Sequence, residues 1–180
     1  MRAIAQAARR ATWRRSAMRA ASVNVENAAF IADDVRVQDT VSLDMQPDSS
    51  IFFKSSVRGA DTVRIGARSN VQDACVLLAH EGDVEVGDDV TIGHGATLVA
   101  CTVEDKAVIG IGASCMKSSR VGEGAILAAG AVLNPGDEIP AGELWGGRPA
   151  AKIRDVTEKE SAAFAAGVTE YVSLAKDYAN

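Results

Sequence analysis

Only two imidazoles occur in the 180 residues, His80 and His94, and they bound the chemistry open to this chain. A catalytic zinc centre with an open position takes three protein donors, commonly imidazoles, so two histidines cannot make a three-histidine site within one chain. His80-Glu81 places an imidazole beside a carboxylate, a pair that could act as a general base or supply substitute donors. No nucleophile motif accompanies either histidine, which leaves Ser-His-Asp catalysis without support. Cys75, Cys101 and Cys115 form no CxxC pair and read as small buried apolar residues in a reducing compartment. Gly110-Ile111-Gly112 reads as a repeat corner and not a phosphate cradle, because no helix follows it.

The elements that would position these groups are written in a six-residue period. Aliphatics recur at Ile109, Cys115, Val121, Leu127, Leu133 and Ile139, continuing to Trp145, with shifted registers through Val86, Ile92, Leu98 and through Ile65, Val71, Leu77. Earlier sets are Ile51, Val57, Val63 and Ile31, Val37, Leu43. A period of six fits neither a helix nor a simply alternating strand. It fits a short strand plus a corner, three times per coil, which is a parallel β-helix with coils of about eighteen residues. Glycine often follows the aliphatic, as in Ile65-Gly66 and Ile109-Gly110, and is expected to supply unusual backbone angles and room at the bends. Leu77 to Val86 is a step of nine, an insertion of three at one corner, and Leu98 to Val103 a step of five, a tightened one. With aromatics at only 4%, the core must be thin and regular.

The period changes at Thr157-Glu158-Lys159-Glu160, which matches a capping box. Phe164, Val168, Val172 and Ala175 then predict an amphipathic helix of about 20 residues along the prism or a neighbour. Residues 1–22 carry six arginines and no acid. This composition matches a mitochondrial presequence, or a basic tail suited through Trp13 to an anionic membrane surface or a partner protein. Removing those arginines from the formal net charge of −5 leaves −11 for residues 23–180, which disfavours nucleic acid. The expected organisation is a basic segment (1–22), a β-helix domain (23–155) and a C-terminal helix (156–180).

Ile65-Gly66-Ala67-Arg68-Ser69-Asn70-Val71-Gln72-Asp73, Val90-Thr91-Ile92-Gly93-His94-Gly95-Ala96, Cys101-Thr102-Val103-Glu104-Asp105 and Leu144-Trp145-Gly146-Gly147-Arg148-Pro149-Ala150 together resemble the γ-class carbonic anhydrase family, in matching order. The resemblance implies an all-β fold, a left-handed parallel β-helix of hexapeptide repeats, trimeric, with the C-terminal helix packed on it. In that family two neighbouring subunits contribute three histidines to a metal that activates water toward carbon dioxide. His94 matches the middle ligand, which the neighbour donates. The outer two fall at Leu78 and Val99, both aliphatic. Leu78 follows inward Leu77 and Val99 follows inward Leu98. Their separation of 21 is one coil plus the insertion of three, so both should lie on one face, one coil apart. Arg58, Asn70, Gln72 and Asp73 match residues that line the family's active-site interface, and could equally be corner and ladder residues.

A presequence-like start, a γ-carbonic-anhydrase body and missing ligands together look like the carbonic-anhydrase-like subunits of respiratory complex I. The resemblance implies a non-catalytic subunit with a structural or assembly role in a homotrimer or heterotrimer, on the matrix side of the membrane arm at the mitochondrial inner membrane. Its partners would be other γ-carbonic-anhydrase-like subunits and membrane-arm subunits. No cofactor is expected on this chain alone, with zinc possible only at a shared interface that His94 completes. The alternatives are an active zinc enzyme using His80 or Glu81, and a hexapeptide-repeat acyltransferase with a histidine base.

Overall fold

The computed structural model describes residues 22–25 and 30–179. The basic segment 1–22 therefore lies outside the described residues, Ser22 excepted, and its presequence reading with it.

The described chain winds as a left-handed parallel β-solenoid, closed by one C-terminal helix. Three sheets form the sides of a triangular prism, with seven, eight and six strands among the described residues. Sheet A runs from Ser22–Asn24 to Glu138–Ile139, sheet B from Phe30–Ile31 to Ala150–Asp155, and sheet C from Arg36–Val37 to Val132–Leu133. Most strands are two to four residues long, so each presents one main side chain to the interior. These stack coil on coil: Val37, Val57, Leu77, Leu98, Cys115 and Leu133 in sheet C; Ile31, Ile51, Val71, Ile92, Ile109, Leu127 and Trp145 in sheet B; and Met45, Ile65, Val86, Val103, Val121 and Ile139 in sheet A. Most are fully buried. Ile31 and Trp145 are only half-buried: Ile31 lies in the first described strand of sheet B, and Trp145 in the last parallel one, beside the antiparallel return strand.

A second inward position, two residues before most of the aliphatics, takes alanine, serine, cysteine or valine. Ala96, Ala107, Ala113, Ala125 and Ala131 fill it and are 0–1% exposed. Cys75 and Cys101 take the same place, which is why these cysteines are buried.

The glycines divide into two kinds, against the expectation that one residue does both jobs. The glycine directly after an aliphatic has ordinary backbone angles and serves close approach. A Cβ on Gly66 would meet the Gly87 carbonyl oxygen at 2.2 Å. The left-handed angles fall two residues further on, as at Gly112 (φ 65°), and several of these corners use Arg68, Ala74 or Lys106 instead.

The last coil turns back: Glu143–Gly147 pairs antiparallel with Ala150–Asp155. The chain then enters the helix Glu158–Ala179. Thr157 and Glu160 close its start reciprocally, the Glu160 amide donating to Thr157 Oγ1 at 3.3 Å and the Thr157 amide to Glu160 Oε2 at 3.0 Å. A helix of 22 residues is about 33 Å long, or seven strand spacings of about 4.8 Å, enough to cover sheet B from end to end. It buries Val168, Val172 and Ala175. Phe164, placed by sequence on the same stripe, is only half-buried. It lines a cleft of about 360 Å³ between helix and sheet, floored by Val108 and Ile126. At the far end Tyr178 packs on Phe30 and Phe53 at ring separations of 5.5 and 5.3 Å, and Tyr171 on Phe52 at 5.6 Å. A Lys176–Asp48 ion pair of 3.0 Å lies beside them.

Candidate functional site

Sheet C and the edge it shares with sheet B gather most of the residues singled out by sequence. Leu78 in Val76–Ala79 and Val99 in Thr97–Val99 are register partners in adjacent parallel strands. Arg58 is the register partner of Leu78 on the other side. The three form one outward row, because Val57, Leu77 and Leu98 between them point inward with no exposure. Leu78 and Val99 are half-buried and Arg58 is exposed.

His94 stands at the corner between Thr91–Ile92 of sheet B and Thr97–Val99 of sheet C, in the turn closed by the Ala96 amide donating to the Gly93 carbonyl at 3.1 Å. One coil before it, the Asp73 amide donates to His94 Nδ1 at 3.2 Å, and Asp73 Oδ2 lies 3.4 Å from the same nitrogen. The other Asp73 oxygen accepts from the Phe53 amide at 3.0 Å. Gln72 Oε1 accepts from the His94 amide at 3.2 Å, and the Gln72 amide group donates to Asn70 Oδ1 at 3.4 Å. Asn70 is fully buried and in turn donates to Thr91 Oγ1 at 3.1 Å. Thus Asn70, Gln72, Asp73 and His94 form one connected network across two coils, in which the buried polar groups are satisfied.

His80 is not part of it. It lies past the end of Val76–Ala79, exposed, at the corner between sheets C and A, the opposite edge of sheet C from His94. Glu81 is engaged by Lys117 at 2.6 Å, and that hydrogen-bonded ammonium holds its carboxyl below the ordinary range. Asp61, the acid nearest Arg58 in the chain, accepts from the Gly82 amide at 3.1 Å and so braces the inserted corner. Burial pushes the Cys75 thiol up to about 11, so it is no nucleophile near neutrality.

A zinc centre needs lone pairs from imidazole, thiolate or carboxylate. At the two positions where the resemblance places the outer ligands, this chain has two aliphatic side chains in register, and these do not fit a metal at a site built from copies of this chain alone. Within one copy, no three His, Cys, Asp or Glu side chains among the described residues come together as ligands.

Two residues near this network escaped the sequence reading. Tyr171 comes from the C-terminal helix to the Asp73 side of the site, and its phenol is raised, first by burial and then by the Asp73 carboxylate. The seven-residue spacing of Tyr171 and Tyr178 marks one helix face, but not what that face meets. Ile111 occupies the same prism edge as His94, one coil on, and is 60% exposed. It was read only as part of a repeat corner.

No protein-family model matches the chain. Among curated proteins it is 36% identical over 163 residues to "Gamma carbonic anhydrase 1, mitochondrial" of Arabidopsis thaliana, covering 86% of this chain and 58% of that protein. The chain thus spans little more than half the length of that relative. It is 32% identical over 157 residues to the "Probable carbonic anhydrase" of Methanocaldococcus jannaschii, covering 86% and 94% of the two chains. Among solved structures, a hexapeptide transferase family protein from Anaplasma phagocytophilum superposes with a TM-score of 0.79 at 36% identity, covering 87% of this chain and 92% of that one.

Proposed function

This chain belongs to the γ-carbonic anhydrase family, and we propose that within it the chain is a non-catalytic assembly subunit of a trimer on the matrix side of the mitochondrial complex I membrane arm. The observation that carries the reading is the Leu78–Val99 register pair, which sets two aliphatic side chains where the family needs two electron-pair donors. The polar network around His94 is complete while the outer donors are missing. That combination fits an interface retained after its chemistry was given up. The mitochondrial names of the Arabidopsis relatives support the location, as does the arginine-rich, acid-free start of the sequence. The partners are other subunits of this family, homomeric or mixed, and membrane-arm subunits. In a mixed trimer His94 is free to complete a zinc site whose two outer histidines belong to a partner, while the interface made by Leu78 and Val99 stays metal-free.

The test is purification through this chain under native conditions, with zinc counted per trimer. A respiratory assembly, with no zinc beside Leu78 and Val99, is the expected result. A free homotrimer holding stoichiometric zinc and hydrating carbon dioxide would instead establish the active-enzyme alternative, and with it a role for His80 or Glu81. The acyltransferase alternative draws on the likeness to the Anaplasma hexapeptide transferase family protein. It predicts coenzyme A binding, which titration calorimetry would detect.

A further inference from the structure

The three sides of the prism meet three different fates. Sheet A presents a charge ladder, with Arg64 on Glu85 at 2.5 Å and Arg120 on Glu138 at 2.9 Å. Sheet B lies under the C-terminal helix. Sheet C presents half-exposed Val76, Leu78, Val99 and Val132 in its strands and Met116 just past one, and among the described residues the helix packs on sheet B and not on this face. Beside it, on the edge shared with sheet B, stands Ile111, with Ile153 the most exposed of the large hydrophobics among the described residues, at 60%.

Edge and face rise together. Along the edge, the Gly95 amide donates to the Asp73 carbonyl at 2.8 Å, the Gly112 amide to the His94 carbonyl at 2.8 Å and the Gly130 amide to the Ile111 carbonyl at 2.7 Å, so Asp73, His94 and Ile111 follow one another coil by coil. Along the face, Arg58, Leu78 and Val99 follow in the same way, and Met116 comes next by the Leu98–Cys115 register. Both columns step by one strand spacing, about 4.8 Å, and can mate along their length. This mating rests on the reading above, which sets His94 of one copy between Leu78 and Val99 of the next. One step on, Ile111 then falls between Val99 and Met116. One step back, the Asp73 carboxylate falls at the level of Arg58, which has no ion-pair partner in its own copy among the described residues. An aliphatic meets aliphatics, and an acid meets a base.

We propose that Ile111 of one copy seats on Val99 and Met116 of a second copy of this chain, as an apolar lock that holds the association without metal. Edge-to-face contact is heterologous and closes as a ring when the rotation permits. Ile111 meets the description of an anchor at such a contact: a protruding aliphatic entering a partly apolar notch beside a charged pair.

The test uses the full chain, followed by sedimentation and native mass spectrometry in EDTA. The wild type is expected to stay associated in EDTA. Ile111→Asp is expected to raise the dissociation constant by about tenfold or more, with Ile111→Ala showing a smaller rise in the same direction. Both variants should keep the circular dichroism of the wild type, since this side chain is mostly outside the core. Mixing Ile111→Cys with Val99→Cys should give a disulfide-linked pair of copies under mild oxidation. Unchanged association in Ile111→Asp together with no cross-link overturns the lock while leaving the trimer standing. Wild-type association that collapses in EDTA overturns it as well. A wild type that is monomeric at every concentration overturns the trimer reading itself along with the lock.

Discussion

The Nδ1 atom of His94 lies 3.2 Å from the backbone nitrogen of Asp73 and 3.4 Å from the Oδ2 of the same residue, and it can serve only one of them at a time. The amide hydrogen is directed at the ring nitrogen, so a neutral imidazole accepts there and carries its own proton on Nε2. In that tautomer Nε2 is a donor, so His94 completes a partner's zinc site only when its proton moves to Nδ1 and that nitrogen turns from the Asp73 amide to the Asp73 carboxylate. Long-range nitrogen–proton NMR of the neutral ring is expected to show the Nε2–H form. Asp73→Asn should leave it unchanged, because the bond comes from the backbone. An Nδ1–H form that disappears in Asp73→Asn would mean that the carboxylate orients the ring instead.

Leu78 and Val99 set the second prediction. Their Cα atoms are register partners in adjacent parallel strands, so two imidazoles introduced there would start about 4.8 Å apart, close enough to converge on one ion. Both side chains are half-buried and outside the core, and the fold should accept the change. The Leu78→His/Val99→His double variant is expected to bind zinc at about one per subunit, against none for the wild type, and to release it to EDTA. Elemental analysis after desalting reads the result. A double variant that associates normally yet takes up no zinc would show that donor loss is not what separates this chain from its catalytic relatives.

The fold was largely legible because one side chain per short strand faces inward, so a six-residue period survives in the sequence with little noise. Ile109, Cys115 and Val121 announce sheets B, C and A in turn. The small-residue position two places earlier, as at Ala107 and Ala113, was less visible, because alanine is common for many reasons. The site was legible where it followed from coil arithmetic, as for Leu78 and Val99 sharing a face. It was illegible where it depended on the helix returning over sheet B. Nothing local to Tyr171 says that it will lie near Asp73, almost a hundred residues away. Ile111 was missed because exposure on a corner is a property of the folded edge, and the surrounding glycines suggested only a turn.

The two kinds of glycine give a third prediction. At Gly66 a Cβ would overlap the backbone of the next coil, 2.2 Å from the Gly87 oxygen and 2.3 Å from its carbonyl carbon. Neither is the end of a flexible side chain, so the coils must separate. Gly66→Ala is expected to cost about 2 kcal/mol or more in chemical denaturation. At Gly112 nothing lies within 4 Å and only the left-handed angle, φ 65°, is strained. Gly112→Ala should therefore cost only about 1 kcal/mol. Equal costs at the two positions would show that close coil-to-coil approach is not what selects glycine after the aliphatic.

The helix start yields a pH dependence. Glu160 receives both guanidinium nitrogens of Arg154 at 2.8 Å, the Thr157 amide at 3.0 Å and the Thr157 hydroxyl at 2.7 Å. The Arg154 hydrogen bonds first, and then those from Thr157, hold its carboxyl well below the ordinary carboxylate range. A carboxyl whose pKa is lower folded than unfolded stabilises the fold above its unfolded value, about 4.3, and that contribution is lost as pH falls from there toward the folded value. The wild type should therefore melt above Glu160→Gln at pH 7, with the gap narrowing steadily below about pH 4. Helical circular dichroism and the fluorescence of Tyr171 and Tyr178 would follow helix undocking separately from the β-solenoid. Because the contact lies at the surface, the gap at pH 7 should also shrink in high salt. A gap that stays constant from pH 7 to pH 3 would show that the neutral hydrogen-bonding shape of the side chain, and not its charge, closes the helix.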